Sequence, residues 1–315
     1  MMNSALTALT LLSIFSAQHS SSPPKRPDIR LDVNLVLVPV TVTDRNGGSV
    51  VGLASEHFRV FEDKVQQPIV SFAREEAPVS VGVVFDLSGS MRNKIREARA
   101  ASHALFRTAT DEDEAFLITF STRPELQSDF TNDLGALQTG LTQAKAGGST
   151  ALVDAVYLGL SRMRYARNAR KAMVVISDGL DNHSRYTKAE LMALAMESDV
   201  QIYTIALFEP PRNAKAIEMS AERAGVALLD QLARTTGGLH FAITGTGDIP
   251  RIAERIGDAL RSLYLIGFRA PAGGEGYRKI QVKATVPNVR LSTRPGYYAA
   301  PSTPATRGGP RVLRP

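Results

Sequence analysis

The string Asp86-Leu87-Ser88-Gly89-Ser90 puts a carboxylate and two hydroxyls at every second position. Two further strings carry the same kind of atom, Gly147-Gly148-Ser149-Thr150 and Ser177-Asp178-Gly179. Oxygen donors unmixed with nitrogen or sulfur suit a hard divalent cation, which takes an octahedron of oxygens and sheds water reluctantly. Taken singly, each string has an ordinary use. Ser and Asp cap helices, Gly-Gly-Ser-Thr makes a turn and a cap, and Ser-Asp-Gly makes a turn. Together they point to one shared metal site. The first and third directly follow apolar runs, and the second directly precedes a helical pattern. Gly89 and Gly148 have no side chain, which allows tight loops and close approach to an ion.

The elements that must position these residues alternate. Val79–Phe85 (VSVGVVF) is nearly continuous in apolar residues, as in a strand covered on both faces of a parallel sheet. Arg92–Thr108 has helical spacing, with Ile95, Ala98, Leu105 and Phe106 on one side. The pattern continues with a strand over Glu114–Ser121, a helix over Ala151–Tyr165, a strand over Lys171–Ser177 and a helix over Lys188–Glu197. It ends with a strand over Val200–Leu207, a helix over Ala224–Thr235 stopped by Gly237-Gly238, a strand over Leu239–Ile243 and a helix over Ile249–Ser262. This alternation predicts an α/β fold with a mostly parallel sheet and helices on both faces.

The flanks read differently. Leu31–Thr43, Phe58–Glu62 and Pro68–Ala73 precede the alternating region as strands, and Leu263–Arg269, Arg278–Ala284 and Val289–Thr293 follow it. Each group is too short to bury a core alone, so pairing of the two predicts a small β-sandwich-like domain with the α/β domain inserted in it. The expected division is a first β half at residues 29–76, the α/β domain at 77–262, a second β half at 263–300 and a disordered tail at 301–315. At the N-terminus, apolar Ala5–Phe15 followed by small Ser16 and Ala17 resembles the core of an export signal over residues 1–17, although no Lys or Arg precedes it. It is too short to span a bilayer as a helix. Residues 18–28 read as a linker. These features place the protein outside the cytoplasm, in the periplasm or beyond, if the signal operates, and in the cytoplasm otherwise.

Composition removes several functions. The 315 residues contain no cysteine, which excludes disulfides, thiolate metal sites and a cysteine nucleophile. Five histidines leave little for a histidine-rich metal site, and a net charge of +6 over this length is weak support for nucleic-acid binding. No Gly-x-Ser-x-Gly elbow is present, Ser88 has no motif-linked histidine, and the Gly-rich strings lack the lysine of a phosphate-binding loop. Without a catalytic constellation, the expectation is a protein that is not an enzyme. The cluster Arg162, Arg164, Arg167, Arg170 and Lys171 reads as a solvated helix end rather than a docking surface. Pro210-Pro211 and the polar stretch to Arg223 read as a connection that could border the metal.

The combination DxSxS, a downstream Thr and a downstream Asp before Gly resembles the metal-ion-dependent adhesion site of von Willebrand factor type A domains, over roughly residues 78–263. The strings VGVVFDLSGSM, GGSTALVDAV and VVISDGLDNHSRYT are similar to a bacterial subgroup, the VWFA-related domain described from Acidobacteria, whose members carry β segments on either side. The resemblance implies a Rossmann-like sheet with Asp86, Ser88, Ser90, Thr150 and Asp178 holding Mg²⁺, or Mn²⁺ or Ca²⁺ in its place. The hydroxyls would ligate and the carboxylates would supply charge, often through water. An ion so weakly neutralised can accept a Glu or Asp from a partner protein. Asp154, Asp181 and Asn182 are expected to support the ligands, and His183 to be an exposed loop residue. The rival expectations are a scaffold stabilised by its metal and an auxiliary subunit of a larger assembly.

Overall fold

The alternation of LVLVPVTVT sends Val36, Val38, Val40 and Val42 to one face and leaves Leu35 and Leu37 exposed, and this stretch is the first strand, β1 (Leu35–Thr43), of the computed structural model. The structure describes residues 35–75, 77–207, 216–243, 248–271 and 276–299. Strands β2 (Phe58–Glu62) and β3 (Val65–Gln67) form a hairpin. Its two loop residues, Asp63 and Lys64, both have positive φ, the backbone twist that two-residue hairpins favour. Strand β4 (Ile69–Glu75) completes the N-terminal group.

The alternating region begins with β5 (Val79–Asp86). A short 3₁₀ turn at Gly89–Met91 leads into α1 (Ile95–Phe106), followed by β6 (Glu114–Phe120), β7 (Pro124–Thr131), α2 (Leu134–Gln143) and α3 (Leu152–Arg162). Then come β8 (Arg170–Ser177), α4 (Lys188–Glu197), β9 (Gln201–Leu207), α5 (Ala216–Thr236), β10 (His240–Ile243) and α6 (Ile249–Arg261). The six strands form one sheet in the order β10-β9-β8-β5-β6-β7, parallel except for β7, which runs antiparallel along the edge of β6.

Side chains of one strand serve opposite cores. Val83 and Phe85 pack with α1, α2 and α6 through Ala101, Leu105, Leu141 and Ile256, whereas Val84 packs with α3, α4 and α5 through Val156, Leu160, Leu191 and Leu229. Burial on both faces explains why β5 is apolar without alternation. The chain winds toward β6 on one side of β5 and toward β8 on the other, so the β5/β8 boundary is the point where the strand order reverses. In open α/β sheets the crevice at the carboxyl ends of such a pair is where ligands sit.

Past α6, β11 (Leu263–Arg269), β12 (Gly276–Ala284), β13 (Arg290–Ser292) and β14 (Gly296–Ala299) close the fold. Strand β1 pairs antiparallel with β11 from Leu35↔Arg269 to Thr41↔Leu263, so the two ends of the described chain share a sheet, β13-β1-β11-β4. A second antiparallel sheet, β14-β12-β2-β3, packs against it through Val38, Val40, Phe58, Val60, Tyr264, Phe268 and Ile280. Arg255 of α6 ties the sandwich to the α/β layer, donating to Gly47 O at 2.9 Å while its guanidinium lies over the Phe241 ring.

Several elements differ from the sequence-based expectation. Helix α5 starts at Ala216, two turns before Ala224, so much of the stretch expected as a connection up to Arg223 is helical. The sequence pattern predicts neither strand β7 nor helix α2. β7 is polar and largely exposed, and α2 carries two glycines and buries only Leu137 and Leu141. Residues 1–34, with the expected export signal and linker, residues 208–215, which hold Pro210-Pro211, and the tail from residue 301 lie outside the described residues.

Candidate metal centre

Parallel pairing of β5 with β8 in the register Phe85↔Ile176 sets Asp86 beside Ser177 at the carboxyl edge of the sheet. The Ser177 hydroxyl donates to Asp86 Oδ2 at 2.5 Å, and the Ser88 N–H donates to Asp86 Oδ1 at 2.8 Å. Asp86 is fully buried, and none of its partners among the described residues is a cation. Burial pushes its carboxyl up to about 6 from the usual 3.8, against the hydrogen bonds from Ser177 and Ser88, and the nearby charge of Asp178 adds to the rise.

Beyond Asp86 the backbone is stapled to its neighbours. Leu87 N–H bonds Phe120 O at 2.7 Å, Gly147 N–H bonds Leu87 O at 2.7 Å, and Gly89 N–H bonds Gly148 O at 3.0 Å. Both glycines are needed for this approach. A Cβ on Gly89 would lie 3.1 Å from Gly148 O, and Gly148 has φ +86°, where a Cβ would fall 2.8 Å from Thr122 Oγ1. The staples bring the loop carrying Thr150 against the loop carrying Ser88 and Ser90. The Ser88 and Ser90 hydroxyl oxygens lie 3.1 Å apart; Ser88 is buried and Ser90 is exposed.

Thr150 is 3% exposed and is fixed through its backbone. Its N–H donates to Asn182 Oδ1 at 2.9 Å, and its carbonyl accepts from the N–H groups of Asn182 and His183 at 3.0 Å each. Asp178, immediately after β8, accepts from Leu180 N–H at 3.2 Å on Oδ1 and from the Lys94 ammonium at 3.1 Å on Oδ2.

The three expected supporting residues brace loops. Asp181 accepts from Val153 N–H at 3.3 Å and from the Ser184 hydroxyl at 2.5 Å. Asp154 accepts from the N–H groups of Arg185 and Tyr186 at 2.8 and 3.0 Å, and Asn182 holds Thr150. His183 is exposed. The basic cluster is dispersed: Arg162 pairs with Asp129, Arg167 with Glu114, and Arg170 is buried with its guanidinium donating to the carbonyl of Leu260.

Sequence spacing gives no role to Ser177 or Lys94. Ser177 stood inside a recognised string, but only the strand register shows that it faces Asp86. Lys94 carried no signal, because its partner lies 84 positions away.

The donor set fits a hard divalent cation. It holds hydroxyl and carboxylate oxygens, without nitrogen or sulfur donors. The Ser88 and Ser90 hydroxyls are hydrogen-bonded to each other at 3.1 Å, close enough for one ion to take both oxygens in place of that bond.

Residues 81–180 match the family model of the von Willebrand factor type A domain. Among solved structures, von Willebrand factor type A from Catenulispora acidiphila is 13% identical, with 85% of this chain and 73% of that chain covered at a TM-score of 0.50. BatB from Bacteroides thetaiotaomicron is 18% identical over 58% of this chain and 100% of that chain, with a TM-score of 0.46. The vWF domain of the type V pili tip protein Mfa5 from Porphyromonas gingivalis is 14% identical over 59% of this chain and 96% of that chain, with a TM-score of 0.47. Comparison with curated proteins finds no match. The matched segment runs from within β5 to just past β8 and contains the whole candidate donor set; over these residues the chain carries a von Willebrand factor type A domain.

Proposed function

We propose that this protein is a divalent-cation-dependent binding module rather than an enzyme. Ser88, Ser90 and Thr150 would ligate Mg²⁺ through their hydroxyls, and Asp86 and Asp178 would supply negative charge, directly or through water. Bound there, the ion acts as a Lewis acid for an oxygen ligand. One observation carries the reading: a fully buried carboxylate without a cationic partner among the described residues stands at the switch point of the sheet, beside two mutually hydrogen-bonded hydroxyls. A buried anion of this kind is costly unless a cation joins it.

Exposure of Ser90 favours an ion that meets a partner over a closed structural one. Neutral hydroxyls leave the ion positive, so the partner group is a carboxylate of a Glu or Asp on another protein. Arg92 and Arg185 are exposed on two of the loops around the site, which adds attraction for an acidic surface. No helix among the described residues is long and apolar enough to cross a membrane. Export of the protein, which would put the site in reach of extracellular partners, belongs to the same proposal.

The test is calorimetric titration of Mg²⁺ and Mn²⁺ into metal-stripped full-length protein, beside Asp86→Ala and Thr150→Ala. Saturable binding at one site, weakened at least 100-fold in Asp86→Ala, is expected. Absence of binding by the wild type would overturn the reading.

A further inference from the structure

Lys94 stands at the wrong end of a helix. It is the residue before α1, where the helix dipole is positive and a cation is disfavoured. Its side chain is only 12% exposed, so its ammonium has also given up most of its water. Its partner is Asp178, whose side chain is 2% exposed and whose Oδ2 accepts the ammonium at 3.1 Å. A long, flexible side chain is thus drawn inward to place a positive charge on one of the two carboxylates of the candidate metal centre.

We propose that Lys94 is the site's own stand-in cation: without metal its ammonium neutralises Asp178, and a divalent ion entering the site must displace it. The inference rests on the metal-centre reading above. The two carboxylates are treated unequally in a way that supports it. Asp86 has only neutral hydrogen-bond donors, while Asp178 carries the cation. Asp178 also has one oxygen tied to the loop by Leu180 N–H, so its position is set with or without an ion and only its neutralising partner changes. Lysine suits the exchange better than arginine would. Its ammonium is a compact point charge on a mobile stem, whereas a guanidinium would lock onto the carboxylate in a two-point contact. The consequence is a lower apparent affinity, set by how strongly the tethered charge holds Asp178, and the metal-free protein avoids an unpaired buried Asp178.

The experiment uses Mg²⁺ alone as the probe, with metal-stripped full-length wild type, Lys94→Met and Lys94→Gln, by titration calorimetry and by thermal unfolding in EDTA. The expected result is Mg²⁺ affinity at least tenfold higher in both variants, with a lower metal-free melting temperature and a larger rise on adding Mg²⁺. Lys94→Gln guards against a packing or folding defect specific to methionine. Affinity equal to or below that of the wild type in both folded variants overturns the role of Lys94 and leaves the metal centre standing. Absence of saturable binding in wild type and variants alike overturns the metal centre and the displacement together.

Discussion

Asp113 and Asp86 are buried carboxylates at opposite ends of the central sheet, and the fold treats them in opposite ways. Asp113, just before β6, accepts from Val79 N–H at 2.9 Å and Thr110 N–H at 2.7 Å, and pairs with Arg261 at 3.1 Å. Burial alone would raise its pKa, but the two N–H donors and the guanidinium outweigh that and hold it below the usual value. Asp86, at the end of β5, is more deeply buried and has no cation among the described residues, and burial pushes its carboxyl up to about 6. The amino end of the sheet is therefore electrostatically complete, and the carboxyl end is not. Nearby Glu114 repeats the first pattern, accepting from the Ser80 hydroxyl and the Arg167 N–H at 2.6 and 2.7 Å. A complete network clamps elements together. An incomplete one at a switch point is what the proposed cation would complete.

The comparison can be broken most forcefully at its completed end. Asp113→Ala strands the buried Val79 N–H and removes the acceptor of the Thr110 N–H and the ion-pair partner of Arg261, and should cost about 2–3 kcal/mol of stability by urea unfolding while leaving Mg²⁺ affinity unchanged. The same carboxylate sets an acid limb. Because its folded pKa lies below the ordinary 3.8, its contribution is complete above that value and is lost as pH falls through the folded-state pKa. Asp113→Asn should flatten that part of the stability profile.

At the other end the sign reverses. Asp86→Asn removes an unneutralised buried charge and keeps a group able to accept from Ser88 N–H and donate toward Ser177. It should leave metal-free protein more stable by about 1 kcal/mol while abolishing Mg²⁺ binding. A loss of metal-free stability comparable to that of Asp113→Ala would erase the contrast.

The smallest effect should come from the loop braces. Asn182→Ala removes the acceptor that holds Thr150 N–H. It should lower stability by about 0.5–1 kcal/mol and weaken Mg²⁺ binding several-fold by calorimetry, since Thr150 is repositioned rather than removed.

Much of this organisation is legible in the sequence where one residue type answers to one environment. The valine run of β5 announces burial on both faces, and Asp86, Ser88, Ser90, Thr150 and Asp178 sit in short strings whose order carries the signal. The boundaries of α4 and β11 agree with periodicity because caps and apolar faces coincide; Thr187 and Glu190 form a reciprocal cap at the start of α4. What stayed hidden depends on tertiary context. Strand β7 is held by its edge pairing with β6 rather than by an apolar face of its own, and α2 is a poor helix former kept by Leu137, Leu141 and the Asp133 cap. Ser177 facing Asp86 follows from strand register, and Lys94 reaching Asp178 from two loops meeting, neither of which spacing along the chain reveals.

The contrast between the two ends of the sheet is tested most directly by the rise in melting temperature of metal-stripped wild type, Asp86→Asn and Asp113→Asn with increasing Mg²⁺. Ligand binding to the folded state raises stability in proportion to the logarithm of ligand concentration above Kd. The account predicts that Asp113→Asn starts lower yet climbs in parallel with wild type, whereas Asp86→Asn starts at or above wild type and does not climb. A Mg²⁺ response that survives in Asp86→Asn, or that is missing from the wild type, would contradict it.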